Sequence, residues 1–273
     1  MERSILVGID GSIASRAAVA WAVERAKDVG AQVVLLTVVD DEWGTISDRD
    51  LTELRVSAEQ TAARELEYAR EEAGDAPVSA RIEVGSPMLV LASEASAYES
   101  VAIGTHKVGS FHGHALGSRG LQLAAMAPVP TTIVPISAST GRSGVAVGVG
   151  DEPGWIDPVR FAAHEAVRLG ERLMLIRSGG PDATDDERAL GLVRELPETS
   201  ELGAGIVVRR STSSPGEALA AVSRRAVLTV SGRPTAPGSQ GFRPLGRTNN
   251  DLLMNAGGPV MIVPFLVGAP VTG

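Results

Sequence analysis

Two short stretches of this sequence carry residue types suited to holding a sugar or an anion. Gly8-Ile9-Asp10-Gly11-Ser12 closes an apolar run with a carboxylate, a glycine and a hydroxyl. Asp10 can accept hydrogen bonds from sugar hydroxyls or help to hold a cation; the alternative is that it caps the first helix. The second stretch, Gly104 to Ser118, reads GTHKVGSFHGHALGS and leads into an alanine-rich helix ending near Met126. Glycines let the backbone approach phosphate oxygens, and a helix N-terminus adds unsatisfied amides and a positive dipole. Ser118 can cap that helix and donate its hydroxyl to the same anion.

His106, His112 and His114 lie on the same loop. Imidazoles bind zinc and copper, but no cysteine or carboxylate on the loop completes a coordination shell, so solvated histidines are expected and no metal site. No GxxxxGK[ST] loop, HExxH helix or GxSxG elbow is present, and no residue stands out as a general base, so the reading is not an enzyme. His164 reads as a packed or surface residue, and Trp21, Trp43 and Trp155 as packing groups.

The elements that must position these groups alternate apolar runs with helical patterns, the arrangement of a parallel sheet flanked by helices. Strands are expected near Ser4 to Ile9, Gln32 to Val39, Val78 to Val84, Ser100 to Gly104 and Thr131 to Val134. Val19, Ala22, Val23 and Ala26 recur at helical spacing, and Leu51, Leu54, Ala58, Ala62, Leu66 and Ala69 mark a second amphipathic helix. Ser86-Pro87 is a helix-start signal, and Ser214-Pro215 with Glu217 predicts a capping box.

The pattern then returns. ILVGIDGS recurs as VAVGVGDE and TTIVP as VMIVP, while Ala18 to Thr37 aligns with Pro158 to Arg177 without a gap. Two successive domains follow, spanning 1–136 and 144–273, with Ile136 to Gly144 as the linker. The second copy is shorter between its second and third strands, chiefly in the counterpart of the Trp43 to Asp50 loop region, and a helix is expected from near Thr184.

A chain of 273 residues that is 44% hydrophobic can bury two cores. Its net charge of −8 lacks a basic stripe, which disfavours nucleic acid as a partner. There is no cysteine, so disulfides and thiolate chemistry are excluded. Without a signal-peptide layout or an apolar run of about 18 residues, the expectation is a cytoplasmic protein with no membrane partner.

VGIDGS at Val7 to Ser12, LLTVVD at Leu35 to Asp40, VGSP at Val84 to Pro87, the glycine loop and PVPTTIVP at Pro128 to Pro135 resemble the universal stress protein family in its tandem form. The resemblance implies two flavodoxin-like (Rossmann-like) α/β domains with five-stranded parallel sheets, paired about a pseudo-twofold axis through Thr131 to Val134 and Val260 to Val263. That interface forms within one chain or supports a homodimer. It also implies an adenine nucleotide, ATP with magnesium, in the first domain: ribose near Gly8 and Asp10, adenine against the backbone near Val38, phosphates over Gly104, Gly117 and Ser118. The family's second loop glycine is replaced by Lys107. Either lysine strains the turn and crowds the phosphates, or Gly109 supplies the flexibility and Lys107 donates charge.

In the second half Gly150 stands for Asp10, Thr235 for the second glycine and Arg247 for Ser118, while Pro234, Pro237 and Pro244 stiffen the loop. That half is expected to lack an ATP site. The functional expectation is a regulatory stress protein with one nucleotide site. The alternatives are a stress protein acting through protein contacts alone, or a weak ATP-hydrolysing or phosphoryl-transfer enzyme.

Overall fold

The computed structural model describes residues 3–41, 48–106, 118–137, 141–150, 155–179, 183–202, 205–235 and 245–266. The described residues cluster into two compact units, one up to Ile136 and one from Ser137.

In the first unit, β1 (Ser4–Gly8), α1 (Ile13–Val29), β2 (Gln32–Val39), α2 (Asp48–Ala73), β3 (Val78–Val84), α3 (Pro87–Glu94), β4 (Ser100–Thr105), α4 (Ser118–Met126) and β5 (Thr131–Pro135) alternate along the chain. Strands β1, β2 and β5 are largely buried apolar runs, as a parallel sheet between helices demands, while the edge strand β3 alternates partly buried and exposed residues. Their order is β3-β2-β1-β4-β5, with β1 parallel to both β2 and β4. Chain direction across the sheet therefore reverses between β1 and β4. Helix α1 buries Ala18, Val19, Ala22, Val23 and Ala26 against Ile5, Val7, Val33 and Leu35. It stops at Gly30, whose φ of 64° supplies the left-handed cap.

The second unit repeats the plan with β6 (Val145–Gly148), α5 (Ile156–Arg168), β7 (Leu173–Ser178), α6 (Ala183–Arg194), β8 (Ile206–Ser211), α7 (Pro215–Ser223), β9 (Leu228–Thr235), α8 (Arg247–Asn255) and β10 (Val260–Leu266). Strand order is again β8-β7-β6-β9-β10. The expected capping box is formed: the Glu217 carboxylate accepts from the Ser214 amide at 3.1 Å and from its hydroxyl at 2.9 Å.

Four expectations change. The length missing from the second copy is helix as well as loop, since α2 has 26 residues and α6 has 12. Leu54, expected on the apolar face of α2, is exposed. Ser86 occupies its cap position but its hydroxyl makes no cap bond; Pro87 alone presets the first turn. Pro234 and Thr235 belong to β9 rather than to a loop, because β9 stays paired with β10 as far as Thr235, whose hydroxyl donates to the Phe265 carbonyl at 2.7 Å.

Candidate functional site

The carboxyl end of β1 is built around Asp10. Its Oδ1 accepts the Ser12 amide at 3.0 Å, and Ser12 Oγ in turn accepts the Ser15 amide at 3.1 Å. Ser12 is thus the N-cap of α1, and the reading of Asp10 as cap is corrected: Asp10 orders the turn before the cap. Gly11 bridges the two with φ of 76°, a conformation that a side chain would strain. The Asp10 carboxylate faces solvent. Partial burial pushes its pKa up, but interactions with Ser12 and Ser15 and the nearby His106 outweigh that and hold it below the ordinary value.

Strand register sets its neighbours. Gly8 pairs with Leu36 on one side and Ile103 on the other, so Val38 and Thr105 flank Asp10 in a row across β2, β1 and β4. This row lies at the topological switch point, where open α/β sheets bind ligands. His106 follows Thr105 and is exposed.

The two strand glycines serve packing. A Cβ on Gly104 would lie 1.8 Å from the Ala14 carbonyl oxygen, so this residue admits the first turn of α1 against β4. A Cβ on Gly8 would lie 2.8 Å from Leu91 Cδ1 of α3, on the opposite face. Gly104 thus faces α1 with the side on which a Cβ would sit. Ser118 is the first residue of α4. Lys107, Gly109, Gly117, His112, His114 and Trp43 lie outside the described residues. His164 is at the surface, 3.9 Å from Glu198. Among the described residues, no group of three or more histidine, aspartate or glutamate side chains can hold a metal ion, and no helix is long and apolar enough to cross a membrane.

The same row in the second unit has different chemistry. Gly148 pairs with Ile176 and Val147 with Val230, which sets Ser178, Gly150 and Arg233 side by side. Arg233 is buried, and desolvation lowers its pKa. Ser231 Oγ donates to Asn249 Oδ1 at 2.6 Å, and Asn249 Nδ2 donates to the Gly232 carbonyl at 2.9 Å, fastening α8 to β9.

Sequence reasoning missed Arg233 and Asn249. Both left a signal: a charge inside the apolar strand LTVSGRPT, and an amide in helical register with the buried Leu252 and Leu253.

Residues 1–135 match the profile of the Universal stress protein family. The chain is 32% identical over 136 residues to a universal stress protein of Mycolicibacterium smegmatis, a match taking in 48% of this chain and 45% of that protein, so it spans less than half of that relative. With a universal stress protein of Mycobacterium tuberculosis it shares 29% identity over 194 residues, covering 68% of this chain and 69% of that one. The crystal structure of a universal stress protein from Archaeoglobus fulgidus superposes with a TM-score of 0.78 at 19% identity, covering 96% of this chain and 98% of that chain; it speaks to the fold alone.

Proposed function

From the premise that the chain belongs to the universal stress protein family, in its tandem form, we propose that residues 1–136 are an adenine-nucleotide-binding domain and residues 144–273 a degenerate partner without an ATP site. The carrying observation is the row Val38, Asp10, Thr105 at the switch point, with an ionised, solvent-facing carboxylate at its centre. Asp10 accepts from the ribose hydroxyls, with Gly8 two residues before it at the end of β1, and adenine lies against the backbone near Val38. The phosphates extend over the segment from Gly104 through Lys107 and Gly109 to Gly117 and Ser118, where the amides at the head of α4 and the serine hydroxyl receive them. Magnesium enters with the phosphates, since Asp10 alone is too small a ligand set to recruit it.

Nucleotide occupancy then tunes conformation or partner binding in a cytoplasmic stress response. No side chain is assigned a catalytic role. The family reading also carries the proposal that the domains pair through β5 and β10, within one chain or between two.

The test is to denature freshly purified protein, identify any released nucleotide, and titrate the emptied protein with ATP and magnesium alongside Lys107→Gly and Ser118→Ala. A single ATP per chain, weakened by the serine change, supports the reading. Two equivalent ATP molecules per chain, or no binding by wild type, overturns it; binding gained only in Lys107→Gly would identify lysine as the obstruction and shift the function toward protein contacts.

A further inference from the structure

Away from the switch points, the two units differ in charge at the edges of their sheets where the strands begin. In the second unit Arg172 precedes β7 and Arg225 lies just before β9. The Arg172 carbonyl accepts the Val145 amide at 2.9 Å and the Arg225 carbonyl accepts the Ser143 amide at 2.8 Å, so the two flank the entry to β6. The order β7-β6-β9 separates them by two strand spacings, about 10 Å. Arg224 adjoins Arg225, with its side chain along Gly257, where a Cβ would lie 2.6 Å from the arginine Cγ. All three arginines are exposed, and none is in an ion pair among the described residues. The fold does not require them: in the first copy, aligned through Ala18 to Thr37 and through Ser86-Pro87, their places are held by Gln32, Ser96 and Ala97.

The first unit carries the opposite charge at this edge. Helix α2 finishes with Glu71 and Glu72, and Asp75 follows in the turn to β3; all three are exposed and outside any ion pair among the described residues. A helix C-terminus is the negative end of its dipole, where carboxylates are unfavourable. Glu67 and Glu71, four residues apart, repel along one helix face. Arg70, in the same turn, offsets one of these charges. The acidic residues thus break a local rule, which calls for a compensating interaction elsewhere.

We propose that the two edges are a matched pair between copies of this chain: the arginines of one copy's second unit receive the carboxylates of another copy's first unit. Guanidinium and carboxylate meet in planar, two-bond geometry, and a carboxylate so neutralised no longer opposes the dipole of α2. Copies with a net charge of −8 repel one another in general, so a local basic edge also fixes the orientation in which they meet. The contact joins unlike surfaces and is therefore heterologous. It uses neither the residues proposed for ATP nor β5 and β10. Exposed charge pairs are individually weak, so the association depends on concentration and is sensitive to salt.

The test is sedimentation velocity on the full-length protein over a concentration series. Wild type should associate at low ionic strength, and about 0.5 M sodium chloride should abolish the association. Arg224→Glu with Arg225→Glu should weaken it at least about tenfold. Glu71→Lys with Glu72→Lys should do the same, and its new cations suit the end of α2, so the fold is kept. Mixed together, the two variants should recover the association that each has lost, because their reversed charges match across copies. A wild type that stays unassociated at every concentration, association indifferent to salt, or no recovery on mixing would overturn the proposal. So would binding of wild type to vesicles of anionic lipid, lost in the arginine variant and without self-association, since the arginines would then serve a membrane surface.

Discussion

Asp10 and Ser12 share the head of α1 between them: the carboxylate of Asp10 holds the Ser12 amide at 3.0 Å, and Ser12 Oγ holds the amide of Ser15 at 3.1 Å. Removing one leaves the other in place but less well aimed. Asp10→Asn should therefore lower stability at neutral pH by less than about 1 kcal/mol, because the group faces water. The folded-state pKa lies below the ordinary 3.8, so the ionised form contributes fully above that value and its contribution is lost as pH falls through the lower folded one. Urea denaturation at pH 7 should separate wild type from Asp10→Asn, and the gap should narrow below about pH 3.8.

Gly104→Ala should destabilise the first unit by more than about 2 kcal/mol, since the new methyl group meets the backbone carbonyl of Ala14 rather than a side chain that can turn away. Gly191 in α6 is the contrast, because a Cβ there meets nothing within 4 Å. Gly191→Ala should raise stability by about 0.5–1 kcal/mol through helix propensity. Urea midpoints of the two variants should move in opposite directions.

Glu65 is 1% exposed and its carboxylate accepts from Arg16 Nε at 3.1 Å, while the Arg16 guanidinium lies 5.2 Å from the Tyr68 ring centroid. Truncating the arginine strands a buried carboxylate, which costs more than losing the pair altogether. Arg16→Ala alone should melt at a lower temperature than the double variant Arg16→Ala with Glu65→Leu. The reverse ranking would mean that Glu65 finds water once Arg16 is gone.

Arg142 ties the segment entering the second unit to three backbone carbonyls, those of Ser223 at 3.2 Å, Ala226 at 3.3 Å and Gly257 at 2.6 Å. Arg142→Ala should cost roughly 2–4 kcal/mol, because those carbonyls lose their donor in a partly buried place. Hydrogen exchange should quicken in α7 and at the start of β10 while β1 and β4 keep their protection.

What was legible in the sequence followed from local pattern. The strand runs are dense enough in valine, isoleucine and leucine that their alternation with helices fixes a parallel sheet, and the capping box at Ser214 needs only residues three apart. What was not legible depends on partners distant in sequence. Nothing in VGIDGS says which of Asp10 and Ser12 caps the helix; the hydrogen bond from the Ser15 amide to Ser12 Oγ decides it. Pro234 reads as a loop residue until β9 is seen paired with β10 through Phe265. Arg233 and Ser178 join one row only once strand register is known, since β6 lies between β7 and β9 in space but far from β9 along the chain.

The glycine at the end of β4 bears on how such chains change over time. Position 104 admits a single amino acid because a neighbouring carbonyl fills the volume any side chain needs, and at Gly232 a Cβ would lie 2.5 Å from Cγ of the Pro158 ring. Both glycines would therefore be retained under selection for folding alone, whatever became of a ligand nearby. The first letter of the glycine loop is a fossil of architecture, and a lineage could abandon its nucleotide without erasing it.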